Sequence, residues 1–348
     1  MAKVVIIGAG LMGSAMAWPL SDNGHEVRLV GTHLDEGIIG SCRKQRVHPK
    51  LNRELPDAVT PFFFHEVDEA LEGADLIVSG VSSPGVDWMA KLLSSRVRKG
   101  QLVLSITKGM RIDCKGTIHL FPDIIAEGFP LAVRDSVTPV AVGGPCIAGE
   151  LAAGRQTCVM FGSRDIGAAN ACVSLLSTEY YHPRATKDLL SVELGVAMKN
   201  AYTVAVGMAY GMHVPDAEGA STHNTAAAFF AQGCWEIAEL LRLTGGDERI
   251  SSALPGAGDL YVTSAAGRTM TLGRMLGEGK SYAEAEASLR GVTLESVEII
   301  REMSKALSAW ESQRLIHPQS FPLLRMLVEI VMKGKKAKIS FEDFFKDV

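Results

Sequence analysis

No C-x-x-C pair occurs among the six cysteines, Cys42, Cys114, Cys146, Cys158, Cys172 and Cys234. At 348 residues the chain is also no short disulfide scaffold, so reduced thiols in a cytoplasmic protein are the simpler expectation. An excess of one charge is missing too. Lys and Arg number 35 against 39 Asp and Glu, a net charge of −4. That gives no footprint for nucleic acid or for an anionic membrane surface. No apolar run is both long and unbroken. Leu189 to Met212 has the length of a membrane span, but Glu193, Lys199 and Asn200 interrupt it. A buried helix of a soluble domain is expected there, and no membrane span. The opening "MAKVVIIGAG" runs straight into a glycine turn and reads as a strand, not a signal peptide. There is no low-complexity tract, no repeat and no candidate metal site.

What is present is globular: 47% hydrophobic and 21% charged residues, with length enough for two domains. The first half alternates β-rich runs with helical patterns. "KVVII" (Lys3–Ile7) precedes a helix expected from about Leu11 to Asn23, and "EVRLV" (Glu26–Val30) follows. Then come "PFFF" (Pro61–Phe64), "LIVSGV" (Leu76–Val81), "LVLSI" (Leu102–Ile106), "PVAV" (Pro139–Val142) and "TCVMF" (Thr157–Phe161). This alternation predicts βαβ units and a mostly parallel sheet. After about Pro183 the pattern is helical, with turn-like breaks at "TGGD", "PGAGD" and "GEGK". The fold class is therefore α/β: a Rossmann-type dinucleotide-binding domain over residues 1–186, then an all-α substrate and catalytic domain over 187–348. Ligands of open α/β sheets bind beyond the strand C-termini, so a cleft between the domains is the expected site.

"GAGLMG" places Gly8, Gly10 and Gly13 in G-x-G-x-x-G spacing. The pattern is weak alone, but here a strand precedes it and a helix follows. Gly8 would permit the tight turn, Gly10 the approach of a pyrophosphate, and Gly13 close helix–strand packing. The helix N-terminus would offer free N–H groups to the phosphates. The second strand ends "VGTHLDE". Thr32 and His33 stand where a ribose-binding carboxylate is usual, and Asp35 comes slightly late. Thr32 is expected to donate to a 2′-phosphate, a slight lean to NADP. NAD stays open if Asp35 turns back to the ribose.

In the second half, polar residues sit in apolar company. On a 3.6-residue period Val192, Val196, Lys199, Thr203 and Val206 share one face. A buried lysine there needs a partner, as at a proton-transfer site. A lysine at the rim of a helix bundle fits the segment equally well. "LPGAGDLYVTSAAGRT" sets Asp259, Thr263 and Arg268 in a loop-like, Gly/Ala-rich stretch. An arginine before a helix suits a phosphate. "SITKGM" puts Lys108 just past a strand, and "GGPCIAGE" follows another strand and opens a helix.

In chain order these segments resemble the NAD(P)-dependent glycerol-3-phosphate dehydrogenases. The matching pieces are "IIGAGLMGSA", "SITKGM", "GGPCIAGELAAGRQT", "ELGVAMKNAYTVAVG", "NTAAAFFAQGCWEIAEL" and "GAGDLYVTSAAGRTMTLGRMLGEG". The resemblance implies hydride transfer between NAD(P)(H) and the pair sn-glycerol 3-phosphate and dihydroxyacetone phosphate. Lys199 matches the catalytic lysine and Asp259 the aspartate beside it. Leu11 and Met12 match backbone contacts to the pyrophosphate. Lys108 matches a lysine shared by cofactor and substrate. Gly144, Cys146 and Ala148 match a Gly-Pro-Ser-Phe-Ala segment. Thr263 and Arg268 match substrate- and cofactor-contacting positions, with Arg268 near the phosphate. Asn200, Gly267 and Thr269 fall at substrate positions, though Asn200 would equally order the site or cap a backbone group.

The chain also departs from the family pattern. Ser-Arg-Asn reads Gly267-Arg268-Thr269, and the serine of Gly-Pro-Ser is Cys146. Ala226 and Gln232 stand where basic residues are usual, Leu289-Arg290-Gly291 replaces Val-Glu-Gly, and Thr32 replaces an arginine. These changes leave room for another small phosphorylated ketose or polyol as substrate. A non-catalytic nucleotide-binding protein would have no need of Lys199, Asp259 and Arg268 together. A large apolar helical surface would support a homodimer.

Overall fold

A computed structural model of the chain describes residues 1–212, 222–289, 294–339 and 341–346. It divides into two compact units, one of Met1–Lys108 with Leu120–Glu193, the other of Gly109–His119 with Leu194–Val348.

The first unit is built on one eight-stranded sheet. Its strands are β1 (Lys3–Ile7), β2 (Glu26–Val30), β3 (Val59–Phe62), β4 (Leu76–Ser79), β5 (Leu102–Ser105), β6 (Val140–Gly143), β7 (Thr157–Gly162) and β8 (Tyr181–Thr186). The spatial order is β3-β2-β1-β4-β5-β6-β7-β8. Neighbours pair in parallel except β6 with β7, so the sheet is mostly parallel, as the alternation implies. β1 and β4 are buried on both faces, which is why they read as unbroken Val/Ile/Leu runs. The order reverses direction at β1, the position where open α/β sheets take ligands.

Two local expectations are corrected. The third strand is Val59–Phe62 rather than Pro61–Phe64. It lies at the sheet edge, where a proline lacking an N–H is tolerated. The first helix is not continuous to Asn23 but divides into Leu11–Ala15 and Ala17–Asp22. Pro19 cannot donate to the Ala15 carbonyl, and the helix breaks before it.

The second unit is helical: Leu194 onward in the Leu189–Gly211 helix, then His223–Thr244, Asp259–Ala265, Arg268–Gly277, Tyr282–Ser288, Glu295–Ser312 and Pro322–Lys333. The Leu189–Gly211 helix is buried on every side from Ser191 to Ala209. Its glycines explain how. A Cβ on Gly211 would sit 1.9 Å from the Arg274 carbonyl oxygen, one on Gly273 2.2 Å from that of Val204, and one on Gly277 2.1 Å from that of Met208. The Leu189–Gly211 and Arg268–Gly277 helices therefore cross backbone to backbone through small residues at four-residue spacing. At the other end, a Cβ on Gly195 would meet Pro255 and Gly256 at 3.2–3.3 Å. The hairpin Gly109–His119 belongs to this unit as well. Ile112 N–H donates to Glu302 Oε2 at 2.6 Å, and Trp310 Nε1 to the Gly116 carbonyl at 3.1 Å.

Candidate functional site

The three glycines after β1 have different causes. Gly8 adopts φ +112°, and a Cβ there would lie 2.6 Å from the Gly80 carbonyl oxygen. A Cβ on Gly13 would lie 2.3 Å from the Gly8 carbonyl oxygen. The protein itself requires both. A Cβ on Gly10 meets nothing within 4 Å, so its smallness serves no packing among the described residues. Gly10 caps the Leu11–Ala15 helix without a side-chain hydrogen bond. The N–H groups of Leu11, Met12 and Gly13 in its first turn have no intrahelical acceptor. Open space beside backbone donors suits the pyrophosphate of a dinucleotide.

Two side chains hold the Ala9 residue of this turn. Asp35 Oδ2 accepts the Ala9 N–H at 3.3 Å, and the Ala9 carbonyl faces His48 Nε2 at 3.1 Å. The same Asp35 oxygen accepts the Thr32 N–H at 2.9 Å and the Thr32 hydroxyl at 2.7 Å. The Thr32 oxygen in turn accepts from Leu34 N–H at 3.2 Å. This corrects the expectation that the Thr32 hydroxyl donates to a 2′-phosphate. Its proton is taken by a nearly buried carboxylate that has turned inward onto the glycine loop.

At the ends of β5 and β6 a small cavity of about 20 Å³ brings together Met12, Lys108, Gly144 and Cys146 with Tyr181. Lys108 Nζ donates to the Gly144 carbonyl at 3.4 Å. Gly144 has φ +131°, a conformation other residues adopt only with strain. Ala148 opens the short helix Ala148–Ala152. Tyr181 is fully buried, its hydroxyl has no hydrogen-bond partner among the described residues, and burial raises its pKa well above the ordinary phenol value.

In the second unit Lys199 Nζ donates to Asp259 Oδ1 at 2.8 Å and to Thr263 Oγ1 at 2.6 Å. Thr263 Oγ1 lies 3.4 Å from Asp259 Oδ1. The side chains of Lys199 and Asp259 are only 9% and 2% exposed, so Lys199 is not a rim residue. Asp259 and Thr263 are one helical turn apart, which puts both on one face of the Asp259–Ala265 helix. That helix corrects the loop-like reading of "LPGAGDLYVTS". The stretch forms a π-helical turn over Leu254–Gly258, closed by the Gly258 N–H donating to the Ala253 carbonyl, and then the helix. A Cβ on Gly256 would lie 2.2 Å from the Ser251 carbonyl oxygen. The glycine is there for close packing and not for looseness.

Arg268 is exposed and is the first residue of the Arg268–Gly277 helix; Gly267, at φ +111°, precedes it. Thr269 is half-buried beside it. Asn200 is 5% exposed, and its Nδ2 has no partner among the described residues, so it caps no backbone group here. Ala226 is buried. Gln232 is buried too, donating to Glu236 Oε1 at 3.0 Å. Arg290 and Gly291 lie outside the described residues.

Sequence reasoning missed His48, the inward turn of Asp35, and Glu236. Glu236 accepts from Tyr202, Gln232 and the backbone N–H groups of Leu323 and Leu324. It caps the Pro322–Lys333 helix from outside, and burial pushes its carboxyl up to about 7. Their contacts with distant segments, His48 and Asp35 with Ala9 and Glu236 with Tyr202, Leu323 and Leu324, leave no local mark in the sequence. Among the described residues there is no group of three or more His, Cys, Asp or Glu that could hold a metal ion, and no helix long and apolar enough to cross a membrane.

Two family models match nearly the whole chain. Residues 3–169 match the N-terminus of NAD-dependent glycerol-3-phosphate dehydrogenase, and residues 188–342 its C-terminus. The NADP(+)-dependent glycerol-3-phosphate dehydrogenase of Archaeoglobus fulgidus is 35% identical over 292 residues, covering 83% of this chain and 84% of that one. The glycerol-3-phosphate dehydrogenase [NAD(P)+] of Lysinibacillus sphaericus is 31% identical over 302 residues, covering 85% and 84%. Among solved structures, the glycerol-3-phosphate dehydrogenase of Plasmodium falciparum superposes with a TM-score of 0.82 at 19% identity, covering 100% of this chain and 96% of that one. At that identity the likeness is one of fold.

Proposed function

The chain belongs to the NAD-dependent glycerol-3-phosphate dehydrogenase family, and on that premise we propose that it interconverts sn-glycerol 3-phosphate and dihydroxyacetone phosphate, with Lys199 moving the proton. The observation that carries the role of Lys199 is its buried contact with Asp259 and Thr263. A dinucleotide, when bound, supplies the hydride for reduction and accepts it in oxidation. In reduction, negative charge grows on the carbonyl oxygen of the substrate. The Lys199 ammonium stabilises that charge and passes one proton to the oxygen, becoming an amine that regains its proton from water. In oxidation the amine takes the hydroxyl proton. Asp259 and Thr263 hold Nζ in one direction, which matters because proton transfer needs hydrogen-bond distance and alignment.

The backbone of Gly10, Leu11, Met12 and Gly13 would hold the pyrophosphate, with Gly8 setting the turn. Lys108, Gly144, Cys146 and Ala148 would line the cofactor and substrate edge of the sheet. Arg268, exposed at its helix start, is the guanidinium for the substrate phosphate, with Asn200, Gly267 and Thr269 around it. NADP(H) is the favoured dinucleotide. Asp35 Oδ2 is engaged by Thr32 and Ala9 rather than extended toward a ribose, and the Archaeoglobus relative is named for NADP(+). A cytoplasmic setting is supported by six free cysteines, and a homodimer by the apolar helical half of the sequence.

Steady-state assays with dihydroxyacetone phosphate against four- and five-carbon phosphorylated ketoses, with NADH and NADPH in parallel, test this reading. The highest kcat/KM is expected for dihydroxyacetone phosphate with NADPH. A much higher value for a longer ketose would shift the assignment to that substrate, the change that Cys146 and Thr269 make room for.

A further inference from the structure

One fully buried histidine has no part in the reaction above. His48 Nδ1 accepts the Leu51 N–H at 3.1 Å. A backbone N–H can only donate, so Nδ1 carries no proton and the ring hydrogen is on Nε2. Nε2 lies 3.1 Å from the Ala9 carbonyl oxygen and donates to it. Burial holds the pKa of His48 below its ordinary 6.5, which keeps this neutral tautomer. From the other side, Asp35 Oδ2 accepts the Ala9 N–H at 3.3 Å.

Ala9 stands between Gly8 and Gly10. The Ala9–Gly10 peptide is trans, since the chain has no cis peptide bond among the described residues. A planar trans peptide points its C=O and N–H in opposite directions. Fixing the Ala9 carbonyl on His48 therefore also fixes the direction of the Gly10 N–H. Gly10 is the one glycine of the three whose missing Cβ leaves open space. The donor that His48 aims thus belongs to the part of the turn that is free to meet a ligand.

We propose that His48 is a positioning residue for the dinucleotide: its Nε2–H holds the Ala9 carbonyl so that the Gly10 N–H is presented to the pyrophosphate, and Asp35 steadies Ala9 from the N–H side. This rests on the reading that the glycine turn binds NAD(P)(H). His48 and Asp35 act on the Ala9 backbone and not on the reacting atoms, so the effect falls on cofactor affinity and not on turnover.

The test measures the NADPH Kd by calorimetry without a second substrate for wild type, His48→Leu, His48→Asn and His48→Gln. Tm and kcat at saturating NADPH are recorded beside it. Loss of one buried hydrogen bond predicts a Kd raised about tenfold in His48→Leu. The Gln amide nitrogen reaches the Nε2 position, and the Asn amide does not. His48→Gln is therefore expected near the wild-type Kd, and His48→Asn near His48→Leu. For all variants kcat stays within about twofold, the mark of lost ground-state binding of the cofactor alone. If His48→Leu does not fold, the Asn and Gln pair decides. Equal Kd values in Asn and Gln, or a wild-type Kd in Leu, overturn the role of His48. A wild type that binds no NAD(P)(H) overturns the dinucleotide reading instead.

Discussion

Glu193 and Lys199 lie on one buried helix and are treated in opposite ways. Lys199 has a carboxylate and a hydroxyl within 2.8 Å. Glu193 is 1% exposed and neither of its carboxyl oxygens has a hydrogen-bond partner among the described residues. Burial raises the Glu193 pKa well above the ordinary 4.5, with the Lys108 charge only partly opposing. The helix thus keeps an ion pair at one position and, at another, a carboxyl whose burial favours the protonated form. The contrast shows that burial alone does not set the state of a polar group on this helix. A charge persists where a second segment, here Asp259–Ala265, brings a partner to it.

The largest effect expected from this contrast is on stability, in Asp259→Ala. It leaves the lysine buried without its carboxylate, and the loss should be about 3–5 kcal/mol by urea unfolding. A loss below about 1 kcal/mol, the range of exposed pairs, would break the comparison. The smaller effect is in Glu193→Gln. A carboxyl whose folded pKa is raised contributes stability in full below its unfolded value near 4.5. That contribution is lost as pH rises from there toward the folded value. Gln has no proton to lose. Its unfolding free energy should stay within about 1 kcal/mol of wild type at acidic pH, where both side chains are neutral. At alkaline pH the variant should be the more stable of the two. An unchanged pH slope in Glu193→Gln would show that this carboxyl is ionised in the folded chain.

The sheet was the most legible part of the sequence. β1, β4 and β5 announce themselves as short apolar runs, because strands buried on both faces have no polar alternation to blur them, whereas β2 alternates Glu26 and Arg28 with buried Val27 and Leu29. The glycine spacing also pointed to the turn, and the structure separates its parts: Gly8 and Gly13 fill backbone contacts, Gly10 does not. The partners of these groups were less legible. Periodicity placed Lys199 on an apolar face but could not tell a rim from a core, since the Leu189–Gly211 helix has no solvated face to compare. Helix crossing explains its Gly207 and Gly211, where a Cβ would lie 2.7 Å from the Met270 and 1.9 Å from the Arg274 carbonyl oxygen. "GAGDLYVTS" resembled a loop because glycine that lets backbones touch looks the same in sequence as glycine that bends them. His48 had no signal, as its contact with Ala9 spans 39 positions of chain and is wholly tertiary.

Lys199 is the residue proposed to transfer the proton. Single-turnover reduction of dihydroxyacetone phosphate by Lys199→Ala, with NADPH affinity measured separately, tests it most directly. A fall in rate of roughly 10²–10⁴ is expected for loss of the acid/base group, with the NADPH Kd unchanged. A folded Lys199→Ala that binds NADPH normally and turns over at nearly the wild-type rate would contradict it.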